Sequence, residues 1–304
     1  MRAIINMLRV PNLLIIALTF FLLRYLVFVP VYDFYGVVHD KGSLYFLVMV
    51  FTTVLIAASG YISNDYFDIV TDKVNKPEKQ YIGTHVSPGS ALTIAILFSI
   101  LAISGSLWLC IILKSAIPGI LLFTALIAAW WYAIQLKKSF IWGNIAVSCM
   151  SAGTIAMAWV IEKQNLIVPS KPSGIITLII VAVSIFAFLL SVMREIVKDL
   201  EDMEGDRLIN CRSLPIVKGV STTKHVLILI EIILLGMLII TQIFLANFSA
   251  YLSILWLLAG VEIPLVYFSV LLKRATTKIS FHQLSSFLKY IMLGGLLTLL
   301  AGQF

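Results

Sequence analysis

Nine apolar runs, each about as long as a bilayer is thick, recur along this chain, and a run of that length is read as a transmembrane helix. They fall near residues 12–30, 44–62, 90–112, 117–135, 141–161, 174–194, 223–246, 250–272 and 284–302. The breaks between them are short but chemically marked: Lys114 with Pro118, Lys137 with Lys138, Asn247 with Ser249, and the basic stretch from Lys273 to Lys278. The expected fold is all-α, a polytopic membrane protein of nine transmembrane helices forming one membrane domain over residues 1–304. Composition agrees, because 12% of residues are charged and mean hydropathy is +1.03, whereas soluble domains run about 25% charged. The N-terminal run follows basic residues but has spanning length and no small-residue cleavage site, so it is expected to stay as the first helix. Cys110, Cys149 and Cys211 have no paired spacing, which supports neither a disulfide framework nor a cysteine metal site.

Orientation follows from the basic residues. The N-terminus and the loops after helices 2, 4, 6 and 8 hold sixteen Lys and Arg residues, against four in the other loops. By the positive-inside rule the N-terminus and the even-numbered loops are cytoplasmic, and nine crossings put the C-terminus outside an inner or cell membrane. The formal charge of +7 and pI near 9.3 follow from that topology and an anionic leaflet. No nucleic-acid partner is expected, and no obligate protein partner is inferred.

Ten of the fifteen acidic residues lie in two segments on that same side, 63–89 and 195–222. These read as Asp-rich loops capping the bundle. In the first, Asn64, Asp68 and Asp72 are spaced i, i+4, i+8, and Asp65 borders the stripe they form on a helix. In the second, Asp199, Asp202 and Asp206 are spaced i, i+3, i+7, with Glu195 one turn earlier. Like charges so placed cost a few tenths of a kcal/mol per pair even when exposed, so something cationic should offset them. Mg²⁺ takes one or two carboxylates and completes its shell with water and phosphate oxygens, so incomplete carboxylate sites point to a phosphorylated substrate. The bland alternative is two solvated helix ends. Lys73, Lys76 and Lys79 follow the first cluster, while Lys198, Arg207 and Arg212 flank the second. Lys137 and Lys138 are either further phosphate donors or ordinary topology signals.

An ion-coupled transporter would place its acids mid-span, yet only Glu231 and Glu262 do so here. A phosphatidyl-type alcohol phosphotransferase would need a DG-x-x-AR signature, which is missing. Trp130, Trp131, Tyr132, Trp142, Phe186 and Phe188 could line an apolar tunnel or simply face lipid. Arg9, Asn12 and Arg24 are polar positions near helix 1; Arg24, inside a span, either lines a cavity or snorkels.

The two motifs, NDYFDIVTD at 64–72 and DLEDMEGD at 199–206, resemble those of the UbiA family of intramembrane prenyltransferases, NDxxDxxxD and DxxDxxxD. The likeness extends to Asn75-Lys76-Pro77, to Tyr132 before the Lys137-Lys138 pair, to Gly143-Asn144, to the nine-helix count and to the RVPN entry to helix 1. One departure is Lys79 with Gln80 where many members have arginine and proline; lysine neutralises phosphate but lacks bidentate geometry.

The resemblance implies a UbiA-like bundle that moves a prenyl group from a prenyl diphosphate to a hydrophobic acceptor, using two Mg²⁺ ions. It implies Asn64, Asp68, Asp72, Asp199, Asp202 and Asp206 as metal ligands, and Asp65, Asp68 and Asp202 as catalytic. Lys76, Lys79, Tyr132, Lys137, Lys138, Lys198 and Arg207 are implied diphosphate contacts, and Arg9, Asn12 and Arg24 candidate acceptor contacts. KDLEDMEGDR followed by Leu214-Pro215 looks most like the branch that geranylgeranylates glycerol-phosphate ethers. Aromatic acceptors of the quinone, hydroxybenzoate or chlorophyll type are the alternative.

Overall fold

A chain whose apolar runs fill spanning length has to satisfy its backbone within each run. The computed structural model does so with helices: among the described residues there are nine candidate spans and no strand longer than an isolated bridge. The structure describes residues 2–38, 44–75, 77, 80–164, 169–208, 210–247 and 249–301, the side chains of 2–4 excepted.

A short helix α1 (Arg2–Met7) precedes the first span, which runs as α2 (Val10–Leu23), a π-helical turn (Arg24–Phe28) and α3 (Val29–Phe34). The second span is α4 (Leu44–Phe67), continued by α5 (Ile69–Asn75). There follow α6 (Pro88–Ile112), α7 (Ile117–Ile134), α8 (Trp142–Gln164), α9 (Ser170–Leu208) and α10 (Leu214–Ala246). The eighth span comprises α11 (Tyr251–Leu257), a second π turn (Leu258–Glu262) and α12 (Ile263–Arg274), and α13 (Lys278–Ala301) is the ninth.

Local sequence explains the ends and bends. Proline opens α6, α7 and α10 within their first two positions, where its missing N–H costs nothing. The Ser87 hydroxyl caps α6 by accepting from the Ser90 amide at 3.0 Å. Both π turns are followed two residues later by proline, Pro30 and Pro264. A proline ring clashes with the carbonyl four residues back, and the preceding turn widens, so that Val29 N–H reaches the Arg24 carbonyl and Ile263 N–H the Leu258 carbonyl. Gly219 breaks α10 at φ 83°, a conformation open to glycine.

The interior has two large apolar clusters and a small third one around Met7, Ile62 and Ile82 beside the first acidic motif. One large cluster joins α2, α4, α6, α7 and α8 around Phe20, Phe28, Phe46, Met49 and Trp159; the other joins α9 to α13 around Met193, Phe268 and Leu288. The helices of each large cluster carry one acidic motif. Large apolar side chains such as Ile111, Ile240 and Leu255 stand exposed around the outside, as expected where the surroundings are lipid.

The nine expected spans are found with shifted ends. The larger difference is in the segments expected to be Asp-rich loops, because both motifs are helical. At Asp68 the helix steps from α4 to α5 without losing its pitch: Asp68 N–H bonds the Asn64 carbonyl at 3.0 Å and Asp72 N–H the Asp68 carbonyl at 2.8 Å. The second motif rides on α9, whose 39 residues reach about 58 Å, nearly twice the hydrocarbon thickness. Residues 195–208 are therefore its projecting end.

Candidate active site

The end of α4 and the projecting end of α9 face the same corner of the bundle, and short polar contacts place each carboxylate. Asn64 donates through Nδ2 to Asp68 Oδ2 at 2.8 Å, and Thr71 Oγ1 donates to Asp68 Oδ1 at 3.2 Å. Lys137 Nζ reaches Asp68 Oδ1 at 2.6 Å. The Lys137 turn is held against α8 because Gly143 lacks a side chain; a Cβ there would come within 2.9 Å of the Leu136 carbonyl oxygen and 3.0 Å of Lys137 Cα. From behind, Arg212 N–H donates to the Lys138 carbonyl at 3.1 Å and the Cys211 thiol to the Lys137 carbonyl at 3.4 Å. Burial, with Asp206 and Asp199 nearby, pushes that thiol up to about 12, so Cys211 stays protonated and inert.

Arg9, between α1 and α2, adopts φ 52° and ψ 47°, a left-handed conformation that costs a non-glycine residue roughly 1–2 kcal/mol. That turn aims its guanidinium at Asp65, 2.6 Å away, and over the Tyr61 ring at 5.1 Å. Asn12 lies within hydrogen-bonding reach of the Tyr61 hydroxyl. On α9, Glu195 is held by Arg194 at 2.9 Å and Lys198 at 2.8 Å. Asp199 Oδ2 accepts from Asn144 Nδ2 at 2.8 Å. Tyr132 sits between the motifs, within electrostatic reach of Asp68, Glu195, Asp199 and Arg9.

The structure thus brings together Asn64, Asp65, Asp68, Asp199, Tyr132, Lys137 and Lys198 with Arg9 and Asn12. Asp72 is close enough to act on Arg9, and Asp206 on Asp199; Asp202 follows Asp199 by one turn. Arg207 and Lys138 are exposed at the rim. Lys76 and Lys79 lie outside the described residues.

Arg24 is elsewhere. It is 2% exposed, bonded to both Glu162 oxygens at 2.9 and 3.1 Å and to the Tyr45 hydroxyl at 2.7 Å, with its guanidinium 4.7 Å from the Phe46 ring centre. Glu162 ends the helix that Asn144 begins, and Tyr45 begins the helix that Asn64 ends, so this cluster occupies the opposite end of the bundle. Arg24 neither snorkels nor reaches the acidic motifs, because a buried carboxylate neutralises it. Among the tunnel candidates, Trp131 and Trp142 face outward, while Trp130 Nε1 bonds Ser59 and Ser99 at 3.0 and 3.1 Å. Sequence reading gave no role to Thr71, Asn75 or Asn144; Asn75 and Asn144 entered only as part of the family resemblance, and Thr71 showed only a neutral polar side chain within the acidic stripe.

Among the described residues no three His, Cys, Asp or Glu side chains close into a ready-made metal cage. What the corner offers is an open set of oxygen donors. It includes the buried Asn64 Oδ1, which accepts no hydrogen bond because the Nδ2 bond to Asp68 turns it away. Hard divalent ions take such donors and leave positions for substrate oxygens.

The sequence matches the UbiA prenyltransferase family over residues 13–289. The digeranylgeranylglyceryl phosphate synthase of Hyperthermus butylicus is 33% identical over 229 residues, covering 73% of this chain and 69% of that protein. The synthase of the same name from Methanobrevibacter smithii is 30% identical over 251 residues, covering 81% and 83%. Among solved structures, a digeranylgeranylglyceryl phosphate synthase superposes with a TM-score of 0.67 at 22% identity over 99% of this chain and 97% of that one. A UbiA homolog from Archaeoglobus fulgidus bound to GPP and Mg²⁺ superposes with a TM-score of 0.58 at 13% identity, covering 98% and 99%. The nine apolar helices and the family match over residues 13–289 make this an integral membrane transferase, and the chain belongs to the UbiA prenyltransferase family. It is an enzyme of prenyl transfer.

Proposed function

We propose that this chain transfers a geranylgeranyl group from geranylgeranyl diphosphate to the free hydroxyl of geranylgeranylglyceryl phosphate, a step of ether-lipid synthesis. The observation that carries the proposal is the pairing of two oxygen-donor stripes across one corner, with lysines interleaved and Asn64 Oδ1 left open. The acceptor choice is supported by relatives of the same name at 30–33% identity.

Mg²⁺, two ions in this reading, would be held by Asn64, Asp68 and Asp72 from one stripe and Asp199, Asp202 and Asp206 from the other; bound there it supplies positive charge to the departing diphosphate. Lys137 leaves Asp68 to donate to a phosphate oxygen, with Lys198, Lys138, Arg207, Lys76 and Lys79 as further donors and Tyr132 as a wall of the pocket. As the C1–O bond breaks, its electron pair goes to the diphosphate. The acceptor hydroxyl oxygen then bonds the allylic carbon, and its proton passes to the released diphosphate. The lipid-embedded helices keep water from that carbon. Asp65 orients Arg9, and Arg9 with Asn12 meets the acceptor where α2 enters the bilayer. Sixteen basic residues against four support a cytoplasmic position for this corner and an outer one for the C-terminus.

The test uses the purified full chain in nanodiscs with radiolabelled geranylgeranyl diphosphate. Geranylgeranylglyceryl phosphate and a panel of aromatic acids and quinols are offered as acceptors, with Mg²⁺ or EDTA. Product from the glycerol phosphate alone, abolished by EDTA, is the expected result. Product from an aromatic acceptor instead would overturn the acceptor assignment, and product that survives EDTA would overturn the metal.

A further inference from the structure

The described structure contains one side-chain link directly between the two acidic helices that consists of neither a carboxylate nor a base. The amide of Asn75, the last residue of α5, lies against α9 in the middle of the second motif. Its Nδ2 donates to the Asp202 carbonyl oxygen at 3.0 Å, and its Oδ1 accepts from the Gly205 amide at 2.9 Å. The side chain is 5% exposed, so neither bond is shared with bulk water. An asparagine amide has one acceptor and one donor side, like a peptide unit, and here it contacts the α9 backbone as a neighbouring strand would.

Two further features hold it there. Gly205 leaves the room, because a Cβ on that residue would overlap the whole Asn75 amide. Lys278, at the start of α13, donates from Nζ to the Asn75 carbonyl, while His282 on the next turn of α13 bonds Glu201 at 2.9 Å. The α9 extension is therefore gripped from α5 on one side and α13 on the other.

We infer that Asn75 is a positioning residue, whose amide sets the first acidic stripe against the second by bonding the backbone between Asp202 and Asp206. The inference rests on the reading that the two stripes share one metal–diphosphate group, since only then does their mutual register matter for binding. Asn75 touches no substrate in this account. It acts by holding backbone on either side of carboxylates that do, and supports of this kind typically change metal affinity by roughly 10- to 100-fold.

The experiment uses the full chain in detergent with Asn75→Ala, Asn75→Asp, Gly205→Ala and the double variant Asn75→Ala/Gly205→Ala. Hydrogen–deuterium exchange is read over 69–75 and 200–208 without metal, and the Mg²⁺ concentration for half-maximal prenyl transfer is read beside kcat at saturating metal. Asn75→Ala should speed exchange in both segments and raise the Mg²⁺ requirement by roughly tenfold or more, with kcat at saturation nearly kept. Asn75→Asp, which keeps the acceptor for Gly205 but loses the donor to Asp202, should fall between Ala and the wild type. In the double variant the Cβ gains its space, so folding yield should recover from Gly205→Ala while the Mg²⁺ requirement stays high. Unchanged exchange and an unchanged Mg²⁺ requirement in Asn75→Ala would overturn the inference, as would loss of kcat alone. If the wild type transfers no prenyl group, the proposed function fails, while the exchange measurement still decides whether Asn75 couples the helices.

Discussion

The two ends of this bundle both bury charge, and they do so in opposite ways. At one end Arg24 and Glu162 are each 2% exposed and meet through Arg24 Nη1, which reaches both carboxylate oxygens, with Tyr45 donating to Glu162 at 2.9 Å and two aromatic rings around the guanidinium. At the other end Arg9–Asp65 and Lys137–Asp68 are single contacts at 2.6 Å whose side chains remain 10–37% exposed, and the side-chain Oδ1 of Asn64 accepts nothing. A closed pair has no vacancy for a ligand and acts on folding. An open set has stability to lose and binding to gain.

The largest effect expected from breaking this contrast is at the closed end. Glu162→Ala leaves Arg24 as an unneutralised buried cation and should lower stability by about 3–5 kcal/mol, measured by unfolding in detergent. Replacing both partners with apolar residues, Arg24→Met with Glu162→Leu, should restore most of it. Transfer per folded molecule should be unchanged, and a large loss of kcat/KM in the double variant would erase the distinction between the ends.

Next in size, Asp68→Ala and Asp202→Ala should each cut turnover by roughly 100- to 1000-fold, the scale of removing one electrostatic contact to developing charge. Stability should fall little or rise, since like charges are being thinned. A loss of several kcal/mol in stability with turnover kept would reverse the assignment of roles. The smallest effect concerns the back of the site. Cys211, with its thiol pushed up to about 12 by burial, should resist a polar maleimide at neutral pH until the chain is unfolded. Rapid labelling of Cys211 in the folded protein would mean that the loop behind Lys137 opens freely.

Much of this was legible in the sequence because apolar run length and helical spacing are local properties. Asn64, Asp68 and Asp72 lie i, i+4, i+8 apart whether or not α9 is present, and the Asn64–Asp68 bond is that spacing made visible. What was not legible depends on partners far along the chain. Arg24 looked like a cavity or snorkelling residue because its partner lies 138 positions away at the end of a different run. Asn75 meets Asp202 and Gly205 across 127 and 130 positions, and nothing near it hints at the contact. The π turns fall between these cases: Pro30 and Pro264 are plain in the sequence, yet the widening they cause depends on the helix continuing past them, as it does inside a bilayer.

The unbroken course of α9 from one side of the membrane into the second acidic motif has a mechanical consequence. A rigid rod passes tilt at its buried length on to its free end, and helices answer a change in hydrocarbon thickness chiefly by tilting. A bilayer thinner or thicker than the one this protein matches would therefore load the hydrogen bonds that tie Asp202 and Gly205 to Asn75 at the end of α5.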